Sequence, residues 1–242
     1  MARLAPLTCR TDGPSAGNVR YLGAARCRHK FELYYPEGFA DAAYLVAERA
    51  ARERAHRAWQ HGLGAQDLRH LLAHGAWRAA ADTAQRIEAR AGLLSRHERM
   101  ALREALRPVA AARLFAHALY AFLYERGGPR RRFEDWLGAL AELRARSAGT
   151  RVLTWPVATA FGFLGRPDRH LLFKPQATRA AARAYGFDLR YDPTPGWRGY
   201  ESLLTFAAII RRDLARHPGL QARDMLDVQA FIWVQGAPDY AA

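Results

Sequence analysis

Residues 153–186 have the sequence LTWPVATAFGFLGRPDRHLLFKPQATRAAARAYG, which contains two helical stretches with start and stop signals. Thr154 predicts the start of a helix over 155–164, because threonine is a good N-cap, and the Gly-Arg-Pro turn that follows predicts its end. A second helix is predicted over 176–185. Gly186 stands directly after it, where a left-handed backbone commonly closes a helix. This stretch therefore favours an all-α fold.

The helical pattern continues on both sides of this stretch. Asp41 can cap a helix that runs to about Gly62. The segment Ser95-Arg96-His97-Glu98 has the pattern of a capping box, in which a serine and a glutamate satisfy each other's backbone N–H groups. Further helices are predicted over 67–74, 77–94, 109–126, 133–143, 200–217 and 224–234.

The predicted organisation is one compact all-α domain of about ten helices. No alternation typical of β-strands is present, and no internal repeat. Residues 1–40 are rich in Gly, Pro and Arg with little periodicity, so they are predicted to form an irregular N-terminal arm. The all-helical domain then covers 41–242, either undivided or built of two sub-lobes, 41–149 and 150–242.

The charge balance points to an anionic partner without locating it. The 242 residues include 37 Lys and Arg against 23 Asp and Glu, a formal net charge of +14. A basic surface attracts the phosphate backbone of nucleic acids. A chain rich in Arg and Ala and poor in Lys is also typical of a GC-rich genome, and an acidic protein partner remains a third interpretation.

Several classes of protein are disfavoured by what the sequence lacks. Cys9 and Cys27 are the only cysteines, and they lack the spacing of a disulfide framework or of a zinc or iron–sulfur site, so no metal and no cofactor is predicted. Residues 1–17 contain no apolar core of a signal peptide, and no uncharged apolar stretch is long enough to cross a membrane. A cytoplasmic location without membrane contact is expected.

Lys174 is the candidate catalytic residue. Only two of the 37 basic residues are lysines, and lysine, unlike arginine, loses its proton when it is desolvated and then acts as a nucleophile. Asp168 and His170 precede it closely enough to orient it or to serve as acid and base. The structural alternatives are a surface or ion-paired Lys174 and a capping role for Asp168.

A second candidate is a run of three arginines. Arg130, Arg131 and Arg132 follow a Gly-Gly-Pro turn, which predicts an exposed loop that leads into a helix. Three guanidinium groups on such a loop are either a phosphate clamp or a solvated charge run.

The stretch quoted above resembles the helix-hairpin-helix base-excision DNA glycosylases of the endonuclease III and adenine-mismatch type. In that superfamily a helix begins near Thr-Ala, and the catalytic Asp is followed five and nine residues later by arginines. Here Thr159-Ala160 matches the helix start, Lys174 stands at the aspartate position, and Arg179 and Arg183 keep the spacing. Trp155-Pro156 replaces the hairpin glycines, and the iron–sulfur cysteines are absent.

The resemblance implies a glycosylase-like C-terminal half that binds DNA around Lys174. A lysine there opposes the positive charge that develops on the sugar, so the usual catalysis is altered or lost. The residues expected to bind the nucleic acid are Arg130, Arg131, Arg132, Arg151, Thr154, Arg179 and Arg183. Over more of its length the chain resembles a group of bacterial all-helical proteins, through Phe173-Lys174-Pro175 and the segment Asp224–Trp233, which implies no particular activity.

Three functions therefore remain open from the sequence. The first is a nucleic-acid-binding helical protein of glycosylase type, with DNA as the partner and inactive or altered chemistry. The second is a non-enzymatic helical module that binds another protein. The third is a lyase that uses Lys174 on abasic sites. Whether the protein is an enzyme stays undecided.

Overall fold

The computed structural model describes residues 16–144 and 151–240, and within them it contains helices and no strand. The predicted all-α fold is thus confirmed. The helices are α1 (Ala16–Tyr34), α2 (Ala42–Tyr44), α3 (Ala50–Leu63), α4 (Ala65–Ala73), α5 (Trp77–Ala91), α6 (Arg96–Ala105), α7 (Val109–Tyr124), α8 (Pro129–Glu142), α9 (Trp155–Gly165), α10 (Pro175–Tyr185), α11 (Trp197–Leu214) and α12 (Met225–Gly236). A π-helical segment, Leu45–Arg49, joins α2 to α3, and 3₁₀ turns lie at Gly38–Ala40 and Pro238–Tyr240.

The predicted caps are present where the sequence places them. The Asp41 carboxylate accepts the backbone N–H of Ala43 at 2.8 Å at the start of α2. Ser95 and Glu98 form the reciprocal capping box of α6. The Thr154 hydroxyl caps α9, and Gly186 closes α10 with a left-handed φ of +79°. These local signals set where the helices begin and end.

Helix α9 is the centre of the molecule. Every one of its residues except Pro156 is buried, and it packs against α3, α5, α7 and α8. Gly165 permits this contact, since a Cβ there would lie 2.9 Å from Nε1 of Trp59. The buried side chains form one contiguous hydrophobic cluster that runs from Ala24 to Val234. Helices from 41–149 and from 150–242 therefore share one core.

The predicted irregular arm is wrong for the part of it that the structure describes. Residues 16–34 form α1, which packs against α10 and α12. Phe31 is fully buried and contacts the rings of Phe39, Tyr44 and Phe231. The apolar residues of this segment show little helical periodicity in the sequence, and only their burial against distant helices identifies the apolar face of α1. Residues 1–15, with Cys9, lie outside the described residues.

The Asp224–Trp233 segment has a structural role at its start. Asp227 is fully buried and accepts hydrogen bonds from Tyr44 (2.5 Å), Arg49 (2.7 Å) and Arg223 (2.8 Å). Burial alone would raise the pKa of Asp227, but the hydrogen bonds from Arg223 and Tyr44 lower it. Asp224 caps α12 and also pairs with Arg49 at 2.9 Å. This network fastens the π-helical segment to α12.

Within residues 16–144 and 151–240, the longest apolar helices fall short of what a bilayer-spanning segment requires.

Candidate functional site

A cleft of about 830 Å³ opens beside Lys174. Its volume is in the range typical of small-molecule and cofactor sites. The lining includes acidic, basic and aromatic side chains together with the first residues of two helices. These residues are Glu98, Arg151, Leu153, Thr154, Trp155, Pro156, Lys174, Pro175, Gln176, Ala177, Arg179, Ala180, Tyr191, Pro193, Trp233, Gly236 and Pro238.

Three helix N-termini meet at this cleft. Glu98 stands in the first turn of α6, and one of its carboxylate oxygens accepts the backbone N–H of Ser95 at 2.8 Å. The other accepts the hydroxyl of Thr154, the N-cap of α9, at 2.7 Å. Lys174 is the N-cap residue of α10, where no side chain caps the helix. A helix N-terminus carries a partial positive charge. Glu98 already occupies those of α6 and α9, so it is the uncapped N-terminus of α10 that favours an anion in the cleft.

Lys174 is half-buried at the edge of the cleft. Its ammonium makes no ion pair within 4 Å in the part of the chain that the structure describes. Burial lowers the pKa of Lys174. The negative charges of Glu98 and Glu88 raise this pKa in part, and the positive charge of Arg52 lowers it further. The neutral amine, which is the nucleophilic form, is therefore more accessible than in an exposed lysine.

A contact within the core fixes the backbone beside Lys174. The hydroxyl of Thr159, in the middle of α9, donates to the carbonyl of Trp155 at 2.8 Å and accepts the N–H of Phe173 at 2.9 Å. The ring of Phe173 contacts the Trp155 indole at a centroid distance of 4.4 Å. The helix begins at Trp155 after the Thr154 cap, as the cap signal predicts, so Thr159-Ala160 lies inside α9 and not at the helix start that the glycosylase resemblance implies.

Two of the predicted nucleic-acid-binding arginines line the cleft. Arg151 and Arg179 are exposed, and the Arg179 guanidinium lies over the Tyr191 ring at 4.7 Å. Arg183 is exposed one turn further along α10. Over residues 16–144 and 151–240, no carboxylate forms an ion pair with any of these arginines. These arginines therefore carry positive charge that no ion pair within those ranges neutralises.

The run of three arginines lies in the first turn of α8 and not on an exposed loop, because Pro129 starts the helix. Arg130 pairs with Glu134 at 2.9 Å, and Arg131 lies 3.7 Å from Asp135. Arg132 donates to the carbonyls of Phe122 and Glu125 near the end of α7. Local partners thus occupy all three side chains, and none of them lines the cleft.

The structure does not bring Asp168 to Lys174. The Asp168 carboxylate binds Arg166 through two hydrogen bonds of 2.9 Å and Arg169 through a third. The hydrogen bonds from Arg166 hold the pKa of Asp168 well below its usual range. It lines a separate pocket of about 360 Å³ at the end of α9, with Arg211 and Arg223. Lys174 lies near the other end of this helix, which is about 16 Å long.

His170 is also separate from the cleft. It is buried, its Nδ1 lies 2.8 Å from the Tyr200 hydroxyl, and its ring contacts Phe122. Burial, with a smaller contribution from the positive charge of Arg132, lowers the pKa of His170 to about 3. The interpretation of Asp168 and His170 as acid and base for Lys174 is therefore wrong, since neither lines its cleft.

Glu98, Tyr191 and Trp233 are among the cleft residues that lie outside the set proposed from the sequence. Glu98 is recognisable as a capping residue, but its contact with Thr154 joins positions 56 residues apart, which no local pattern reveals. Tyr191 and Trp233 come from a turn-rich link and from α12. Aromatic residues at such places are indistinguishable in sequence from ordinary core residues.

The described residues contain no group of three or more His, Cys, Asp or Glu side chains that is placed to hold a metal ion. Cys27 is buried, and burial raises the pKa of its thiol to about 11. No protein-family model, curated protein or solved structure matches the chain.

Proposed function

We propose that this protein binds nucleic acid and that the Lys174 cleft receives part of the strand. The observation that carries the proposal is the set of unpaired cations at one opening: Lys174, Arg151 and Arg179 all line the cleft where helix N-termini meet. Phosphate groups are bound by such combinations of side-chain cations and helix N-termini.

The aromatic residues of the cleft support this choice of ligand. Tyr191 and Trp233 are partly exposed in its wall, and the face of Tyr191 already holds the Arg179 guanidinium. Proteins that bind single strands combine a positive groove with aromatic rings on which bases stack. A ligand with both a phosphate and a planar base suits this lining.

Oligonucleotide binding measured across a salt series tests the proposal. We expect the logarithm of the association constant to fall linearly with the logarithm of salt concentration, since bound counterions are released. Replacing Arg179 and Arg183 together by Gln should weaken binding and make that slope shallower by about 2, one for each lost phosphate contact.

A matched control replaces Arg130 and Arg131 by Gln, which removes the same charge from α8. Because these two arginines pair with Glu134 and Asp135, we expect the slope to remain near that of the wild-type protein. Binding that is absent or insensitive to salt would contradict the proposal and favour a protein-interaction module. An equal loss in both double variants would show that only the net charge matters.

The lowered pKa of Lys174 favours a second candidate, a lyase that acts on abasic sites. The neutral amine would attack C1′ of the open-chain sugar aldehyde and lose water to form an imine. β-Elimination would then transfer the C2′ proton to a water molecule and break the bond between C3′ and its oxygen, which releases the 3′ phosphate. Hydrolysis of the imine would return the amine and release the unsaturated sugar aldehyde. The positive charge of the imine would assist loss of the C2′ proton.

Borohydride trapping on abasic DNA tests this candidate. Reduction of the imine should give a covalent adduct with the wild-type protein and none with Lys174→Ala or Lys174→Arg. The arginine variant retains the charge but cannot form the imine, so it separates chemistry from binding. An adduct of equal yield in both variants would eliminate Lys174 as the nucleophile.

A further inference from the structure

Glu98 is the acidic side chain in the lining of the cleft, which it shares with Lys174, Arg151 and Arg179. We propose that Glu98 is the internal counter-charge of the cleft and a positioning residue for Lys174: it favours the charged ammonium and opposes an incoming anion. The part of this inference that concerns nucleic acid rests on the proposed function.

The geometry holds the Glu98 carboxylate in one place. One oxygen accepts the Ser95 N–H at 2.8 Å and the other accepts the Thr154 hydroxyl at 2.7 Å. These bonds tie it to the N-termini of α6 and α9. Within the described residues it forms no ion pair with Lys174 inside 4 Å. Its charge therefore acts on Lys174 through space, within the cleft that both residues line.

The other charges near Lys174 come from α3, α5 and the cleft itself. Glu88, at the end of α5, favours the ammonium form as Glu98 does, but less strongly, and Arg52 of α3 opposes it. Glu88 is buried and binds the backbone N–H of Leu94 at 2.7 Å, so it belongs to the core. Glu98 is thus the partly exposed acid whose charge can be removed without opening the core.

The capping box allows charge and structure to be separated. Glutamine also serves at this position of a capping box. In Glu98→Gln the amide oxygen should still accept the Ser95 N–H, and the amide NH₂ should donate to the Thr154 hydroxyl oxygen, so both contacts remain while the charge is removed. Glu98→Asp retains the charge on a shorter side chain and weakens the cap. If Glu98 matters only as a cap, aspartate should be the more damaging change.

The chain has only two lysines, Lys30 and Lys174. NMR of the protein with ¹³C-methylated lysines can therefore follow the titration of each lysine separately. We expect the titration midpoint of Lys174 to fall in Glu98→Gln and to stay close to wild type in Glu98→Asp, with Lys30 unchanged throughout. Glu201→Gln, an exposed change of equal charge on α11, should leave Lys174 unchanged.

Inorganic phosphate serves as the anionic probe in the same spectra. Saturating phosphate should raise the Lys174 midpoint of the wild-type protein, and Glu98→Gln should bind phosphate about threefold to tenfold more tightly. Oligonucleotides should likewise bind more tightly to Glu98→Gln than to the wild-type protein. An unchanged Lys174 midpoint in Glu98→Gln, or in wild-type protein saturated with phosphate, would overturn the inference. Phosphate binding without oligonucleotide binding would instead overturn only the proposed function.

Discussion

His170 shows how strongly the surroundings of one residue decide its chemistry. It stands four positions before Lys174, yet the fold encloses it between Phe122 and Tyr200 while Lys174 reaches the cleft. Its Nε2 is buried and has no hydrogen-bond partner in the described part of the molecule. A protonated imidazole would be costly here, since Arg132, Arg166 and Arg169 add positive charge nearby.

The stability of the protein should therefore fall as the medium becomes acidic. The pKa of His170 is about 3 in the folded state, and an unfolded histidine has a pKa of about 6.5. Between these values only the unfolded chain binds the proton, so the free energy of unfolding should fall by up to about 1.4 kcal/mol per pH unit. Above about pH 6.5 this contribution is constant.

Denaturant unfolding of wild-type protein and His170→Asn between pH 4 and pH 7 measures this effect. The asparagine amide can still bond to the Tyr200 hydroxyl but does not titrate in this range. We expect a shallower dependence on pH in the variant. Equal slopes for the two proteins would show that His170 is not responsible, and that carboxylates such as Asp168 control the acid response.

At the scale of helices, the contact between α10 and α12 depends on a glycine. A Cβ at Gly236 would lie 1.9 Å from the carbonyl oxygen of Ala177, which no relaxation of a side chain can relieve. Gly236→Ala should therefore separate the two helices and cost about 2 kcal/mol or more of unfolding free energy. Since both residues line the cleft, its ligand binding should weaken as well.

Gly138→Ala is the matched control, because Gly138 is exposed within α8 and a Cβ there would have no atom within 4 Å. We expect this change to stabilise the protein by about 0.5–1 kcal/mol, as alanine favours helix over glycine. Chemical denaturation of both variants provides the comparison. If Gly236→Ala left the unfolding free energy unchanged, the close approach of α10 and α12 would not be required for stability.

The helices could be predicted where their signals lie within a few residues of one another. Thr154, Gly186 and the Ser95 capping box are of this kind, and each marks a boundary that the structure has. The cleft could be predicted only in part, because its basic residues come from one stretch of sequence. Glu98 joins it through a contact with Thr154, and the placement of His170 results from packing against α7 and α11.

For the molecule as a whole, several of the arginines serve the fold through ion pairs. Arg49 and Arg223 bind the buried Asp227, Arg28 pairs with Asp213 at 2.5 Å, and Arg166 pairs with Asp168. The formal charge of +14 therefore says little about where a polyanion binds. Arg151 and Arg179, in the same cleft as Lys174, say more, because no ion pair with a carboxylate of the described residues occupies them.

The first helix closes the core of the whole molecule, although its sequence suggests an arm. Phe31 of α1 is fully buried among rings from Phe39, Tyr44 and Phe231, whereas Leu33 is 68% exposed. Phe31→Ala should cost about 3–5 kcal/mol of unfolding free energy, through lost burial and the cavity that remains. Leu33→Ala, two residues away, should change it by less than about 0.5 kcal/mol.

Because one cluster of side chains joins α1 to α9, α10 and α12, we expect Phe31→Ala to move the entire unfolding transition and not one half of it. Tryptophan fluorescence and far-UV circular dichroism should give coincident transitions in both variants, as two-state unfolding requires. Two separate transitions, with only one moved by Phe31→Ala, would mean that 41–149 and 150–242 unfold as independent sub-lobes despite their shared core.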